Sequence, residues 1–159
     1  MFDALKKLGL IALVAVSLPL ILVCVAALLA WRAVSGTILR VWFWHRHAAH
    51  GRRILFVYSE SPTWQAYVEA NILPRLRERA VVLNWSQRDE WPDRSPWEAR
   101  FFRHFAGARE FNPIALVMCK QGGIQAVRFH QAFLDFKHGK ESALRAAETE
   151  LFTLVDSTD

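Results

Sequence analysis

From Leu8 to Trp31 the chain runs 24 residues without a charge. About 20 apolar residues in a helix cross a ~30 Å hydrocarbon core, so this run predicts one transmembrane helix. A cleaved signal sequence has an apolar region of only about 7–15 residues. Retention as an anchor is therefore expected, although Ala26, Ala27 and Ala30 resemble the small residues of a cleavage site. Pro19 sits in mid-run. Proline costs about 3 kcal/mol in a soluble helix interior, but membrane helices tolerate it as a kink. Past the run come Val41-Trp42-Phe43-Trp44, then His45-Arg46-His47 and His50. Tryptophans flanked by cations suit head-group depth. The helix is expected to end in this belt, with Trp31, Arg32, Trp42, Trp44 and Arg46 at the membrane interface.

Shorter periods follow. Ile54–Tyr58 is a continuous β-prone run, long enough for one buried strand. Ser61-Pro62-Thr63-Trp64 then reads as a helix start, with a capping hydroxyl and proline at the first helical position. Trp64, Val68, Ile72 and Leu76 recur at four-residue spacing, one apolar helix face. Ala80–Trp85 reads as a second buried strand and Ser86–Asp93 as a polar loop. Ser95-Pro96-Trp97-Glu98 has the spacing of a capping box. The helix it opens presents Trp97, Phe101, Phe102 and Phe105, and Gly107 is its expected stop. Ile114–Cys119 is a third buried strand. Gln121-Gly122-Gly123 is a hairpin turn, because glycines accept positive φ, and Ile124–Phe129 is the returning strand. A short helical turn over Gln131–Phe136 and a helix from Lys140 onward complete the chain. The first half implies parallel strands joined by a crossover, and the hairpin adds an antiparallel edge.

These elements divide the chain into an anchor with a basic, aromatic interfacial segment, residues 1–50, and a soluble domain, residues 51–159. A domain of about 105 residues buries one small core. The formal charge of +5 is unevenly placed: residues 1–50 hold five Lys/Arg against Asp3 alone, residues 51–159 fifteen against fourteen Asp/Glu. The positive excess lies beside the apolar run, which points to anionic lipid head groups. A nucleic-acid domain would carry it on the soluble part, so the partners expected are the lipid bilayer and a membrane protein or complex, with no nucleic acid. Lys6 and Lys7 precede the run, whereas Arg32, Arg40, Arg46, Arg52 and Arg53 follow it. This balance favours a carboxyl domain in the cytoplasm, on a single pass through a bacterial-type inner (plasma) membrane.

Little in the sequence reads as catalysis. Cys24 and Cys119 are the only cysteines, and they imply no disulfide framework. Cys119 ends a very apolar strand and reads as structural before it reads as a nucleophile. His45, His47 and His50 match no strong zinc spacing, so no metal or cofactor is expected. His104 and His130 lack recognisable partner spacing as bases. Ser61 and Thr63, at a helix start, read as capping groups or as an anion site. Trp85, Trp91 and Trp97 bracket the polar loop, and there they either anchor a protein partner or cap the core.

Arg53 to Val155 resembles a thioredoxin-like domain. The resemblance rests on the β-α-β-α-β-β-α order, on Asn112-Pro113 directly before Ile114–Cys119, and on the Gly-containing hairpin Lys120-Gln121-Gly122-Gly123. It implies an α/β fold and a cis bond at Pro113; together with the helix start and the loop tryptophans, the candidate binding residues are Ser61, Thr63, Trp64, Trp91 and Pro113. The family's redox pair, Cys-x-x-Cys, would fall on Ser61-Pro62-Thr63-Trp64, which has no sulfur. Dithiol–disulfide exchange cannot run there. The expected function is a membrane-anchored, non-redox, protein-binding or accessory subunit. A thiol-dependent or transferase-type enzyme stays open as the alternative, with no catalytic residue assigned.

Overall fold

The computed structural model describes residues 2–91, 96–107, 109 and 111–158, and for 2–16, 77 and 158 the backbone alone. The chain divides into two compact units, Met1–Thr37 and Ile38–Asp159. Helix α1, Phe2–Arg46, runs through the first and into the second. In the first unit every described large apolar side chain, from Leu18 to Val34, is exposed. The Ser35 and Thr37 hydroxyls turn back onto the Arg32 and Ala33 carbonyls at 3.1 and 3.0 Å, which satisfies them within the helix. The helix is long and apolar enough to cross a membrane.

The second unit is mixed α/β. Strands β1 (Ile54–Tyr58), β2 (Ala80–Asn84), β3 (Ile114–Met118) and β4 (Ile124–Arg128) form one sheet in the order β2-β1-β3-β4. β1 and β2 are parallel, with Phe56 opposite Val82. β3 is antiparallel to both neighbours, with Ala115 opposite Phe56 and Leu116 opposite Ala126. The antiparallel segment is thus not merely an added edge, because β3 takes the place beside β1. Both central strands are buried throughout, as continuous apolar runs are when both faces are covered. β2 lies at the edge and is only partly covered, with Val82 44 % exposed. It is less buried than its sequence suggests, and it ends at Asn84, one residue before Trp85.

Alternation along the strands builds two cores. Ile54, Phe56 and Tyr58 face one cluster with Val68, Ile72, Leu76, Phe133 and Leu151. Leu55 and Val57 face the other, with Phe101 and Phe102 of α4 (Trp97–Phe105) and with Leu39 and Phe43 of α1. Phe43 stacks on Phe101 at 4.4 Å between ring centroids. The last turns of α1 therefore belong to the second core, and the division falls after Thr37, well before residue 50.

The helix after β1 begins later than its serine suggests. Ser61–Trp64 forms a turn, then α2 (Gln65–Tyr67), a π-helical stretch Val68–Ile72 and α3 (Leu73–Leu76) follow. Pro74 has no N–H and its ring crowds the carbonyl four residues back, and a wider turn relieves both problems. The apolar face survives, since Val68, Ile72 and Leu76 are fully buried. At α4, Ser95 lies outside the described residues. The cap position is Pro96 with no side-chain cap bond, and Glu98 instead hydrogen-bonds His47 Nε2 at 2.9 Å. Gly107, at φ +104°, ends this helix as expected. The β3–β4 hairpin also forms: Cys119 N–H donates to Gly123 and Gly122 N–H to Cys119, and only Gly122 of the pair takes positive φ. Helices α5 (His130–Lys137) and α6 (Ser142–Thr158) follow. Glu148 of α6 is buried and satisfied, accepting the Tyr67 hydroxyl at 2.8 Å with Arg145 at 3.7 Å.

Candidate functional site

The ends of β1 and β2 and the loop before β3 converge on a polar cluster. Val57 pairs with Ile114 across the sheet, so the segment after Tyr58 meets the segment before Ile114. There the Ser59 hydroxyl donates to Asn112 Oδ1 at 2.7 Å. The Asn112–Pro113 bond is cis, as the resemblance implied. The Pro113 carbonyl accepts the Phe129 N–H at 3.0 Å, tying this loop to the end of β4. Beside it, Glu60 organises the end of β2: its N–H reaches the Ser86 hydroxyl, and its carboxylate accepts Asn84 Nδ2 at 2.8 Å and Gln87 Nε2 at 3.2 Å.

The Ser61–Trp64 turn is internally bonded. Ser61 Oγ accepts the Thr63 N–H at 3.3 Å, and the Ser61 carbonyl accepts those of Trp64 and Gln65 at 3.2 and 2.9 Å. An anion arriving here would have to displace these bonds. Trp64 is half-buried against the first core, and its indole N–H donates to the Ser59 carbonyl at 3.0 Å. Next to it runs an aromatic row: His130 lies 5.6 Å from the Trp64 ring and stacks on Phe111 at 4.7 Å and 18°. Phe111 is 48 % exposed, with the Arg109 guanidinium 5.8 Å from its centroid. Tyr58 and Tyr67 border the region. Burial, then hydrogen bonds to the Glu69 and Glu148 carboxylates, push both hydroxyls above their ordinary value of 10.0.

No protein-family model, curated protein or solved structure matches this chain.

Of the residues singled out in the sequence, Ser61, Thr63, Trp64 and Pro113 come to the same end of the sheet, linked through Ser59 and Asn112. Trp91 does not join them. It packs edge-on to Trp85 at 5.7 Å against the second core, on the other face of the sheet. The three loop tryptophans divide: Trp85 is buried, Trp91 half-buried, and Trp97 exposed but stacked on Trp42 at 5.5 Å. Of the interfacial set, Trp31, Arg32, Trp44 and Arg46 are exposed, whereas Trp42 packs against the second core.

Cys119 sits just past β3, at the opposite end of that strand from Pro113. Five residues of strand span ~17 Å, so its thiol lies away from the polar cluster. No group of three or more His, Cys, Asp or Glu among the described residues is placed to hold a metal. Sequence reasoning missed Ser59, Glu60, Phe111 and Asn112. The only local signal was the adjacency of Phe111 and Asn112 to Pro113, since Ser59 and Asn112 meet across 53 positions and Phe111 stacks on His130 from the far side of the β3–β4 hairpin.

Proposed function

We propose that this chain is a single-pass membrane protein presenting a thioredoxin-like domain, without the redox pair, as a binding module for a protein partner in a membrane complex. The observation that carries the reading is the Ser59–Asn112 hydrogen bond at 2.7 Å. It joins the segment after β1, where the resemblance would place the redox pair, to Asn112-Pro113, and neither Ser59–Trp64 nor Asn112-Pro113 contains sulfur. The element order and the exposed apolar side chains of α1 support the same reading. The accessible row of Phe111, His130 and Trp64 beside Arg109 has the aromatic and arginine character enriched in protein interfaces. The domain lies on the cytoplasmic side of an inner membrane, in keeping with the Lys/Arg balance.

The test uses the full chain extracted in mild detergent, with its mass in solution measured by light scattering and its co-purifying proteins quantified. A stoichiometric partner is expected, and Phe111→Ala should deplete it while leaving the thermal melt of the chain within a few degrees. A strictly monomeric chain with no stoichiometric partner contradicts the proposal.

A further inference from the structure

We propose that the concavity at the carboxyl end of α1 binds a phosphate group, through Arg46, His50 and Arg52. Backbone geometry brings these residues together. α1 ends at Arg46 and passes into a 3-10 turn over Ala48–His50. Gly51 then adopts φ +83°, and the Gly51 and Arg52 amides donate back to the Ala48 and His47 carbonyls at 3.1 Å each. The chain doubles back, and Arg52 comes to the same concavity as Arg46 and His50. That concavity is about 330 Å3 and is lined by Arg46, His47, His50, Arg52 and Glu78. At ~30 Å3 per water it holds about ten waters, room for a phosphate group and its hydration.

Charge points to the class of ligand. Two guanidiniums and one carboxylate line it. The sequence has no Asp or Glu between Asp3 and Glu60 to compensate them. His47 is already held by Glu98. The side chains of Arg46, His50 and Arg52 make no hydrogen bond or ion pair with a described residue, and Glu78 is paired with none of them. Planar guanidiniums with free donors are the groups that bind phosphate oxygens in pairs. Two sources share that chemistry: the head group of an anionic phospholipid, reached because Arg46 ends the helix that carries the apolar run, and soluble phosphate. The inference does not depend on the partner-binding reading.

The experiment uses the full chain in nanodiscs and has two arms. In one, phosphatidylcholine discs are titrated with inorganic phosphate by calorimetry. In the other, retention of phosphatidylglycerol against phosphatidylcholine is counted by native mass spectrometry. Each arm compares the native chain with Arg46→Gln/Arg52→Gln and with Lys137→Gln/Lys140→Gln, which removes the same charge from exposed positions outside the concavity. The arginine pair should weaken binding about tenfold or more in at least one arm, with the lysine pair within about twofold of the native chain. Loss in the calorimetric arm alone identifies soluble phosphate, and loss in the lipid arm alone identifies the head group. Absence of binding in both arms, or equal loss in both variants, overturns the proposal.

Discussion

Leu28 and Phe43 are large apolar side chains on the same helix and meet opposite fates. Leu28 is 65 % exposed, and its large apolar neighbours back to Leu18 and on to Val34 are exposed too. Phe43 is fully buried between Phe101 and the second core. Hydropathy measures the cost of leaving a side chain in water, but it does not say what removes the water. For Leu39 and Phe43 the protein's own sheet and α4 do so. For Leu18–Val34 nothing among the described residues of their own unit does, and exposed apolar area of this extent marks a site that another phase or partner covers.

The largest effects come from trading these positions. Phe43→Ala should cost the domain about 3–5 kcal/mol, as loss of a buried phenyl ring does. Leu28→Ala should stay within about 0.5 kcal/mol in the same denaturation experiment, followed by tryptophan fluorescence in detergent. Equal losses would dissolve the distinction between the two stretches. Membrane retention should respond the other way. Leu22→Arg places a charge in mid-run at a cost of about 2.5–3.5 kcal/mol on insertion scales. It should shift the chain toward the carbonate-soluble fraction, while Phe43→Ala should leave fractionation unchanged.

Smaller effects test polar contacts within the second unit. Tyr67→Phe leaves the buried Glu148 without its hydroxyl donor and should cost about 1–3 kcal/mol. His47→Ala removes the 2.9 Å contact to Glu98 and should cost about 1 kcal/mol. The tyrosines also set an alkaline limit. Because the folded state raises the Tyr58 and Tyr67 hydroxyls above 10.0, it holds their protons more tightly than the unfolded chain does. Their contribution is complete below pH 10 and is lost as pH climbs above it through the raised values. A stability profile from pH 8 to 11 should fall at its upper end, and less steeply in Tyr58→Phe/Tyr67→Phe. An unchanged slope would contradict the assignment.

Much of the fold was legible because it is local. Ile54–Tyr58 and Ile114–Met118 announce themselves as uninterrupted apolar runs, and Gly107 and Gly122 sit where positive φ is needed. What escaped is set at a distance. Nothing within Ile114–Met118 says that it pairs antiparallel with β1, because order in a sheet belongs to the whole chain. Glu98 fits a capping box by spacing, yet a histidine 51 positions earlier takes its carboxylate. The four-residue apolar rhythm over Val68–Leu76 was right in its face and silent about the π stretch ahead of Pro74. The candidate site is half legible: Ser61, Thr63, Trp64 and Pro113 stand out in the sequence and come to one end of the sheet, whereas Ser59, Asn112 and Phe111 meet partners that only the folded sheet brings near.

The central claim is that Leu18–Val34 meets lipid while the end of the same helix belongs to the folded domain. Spin labels at Leu22→Cys, Leu28→Cys and Val41→Cys, in a chain carrying Cys24→Ser and Cys119→Ser and placed in bilayers, measure this directly through collision with dissolved oxygen and with a water-soluble nickel complex. Oxygen should dominate at positions 22 and 28, and the nickel complex at 41. Nickel access at 22 and 28 equal to that at 41 would contradict the account.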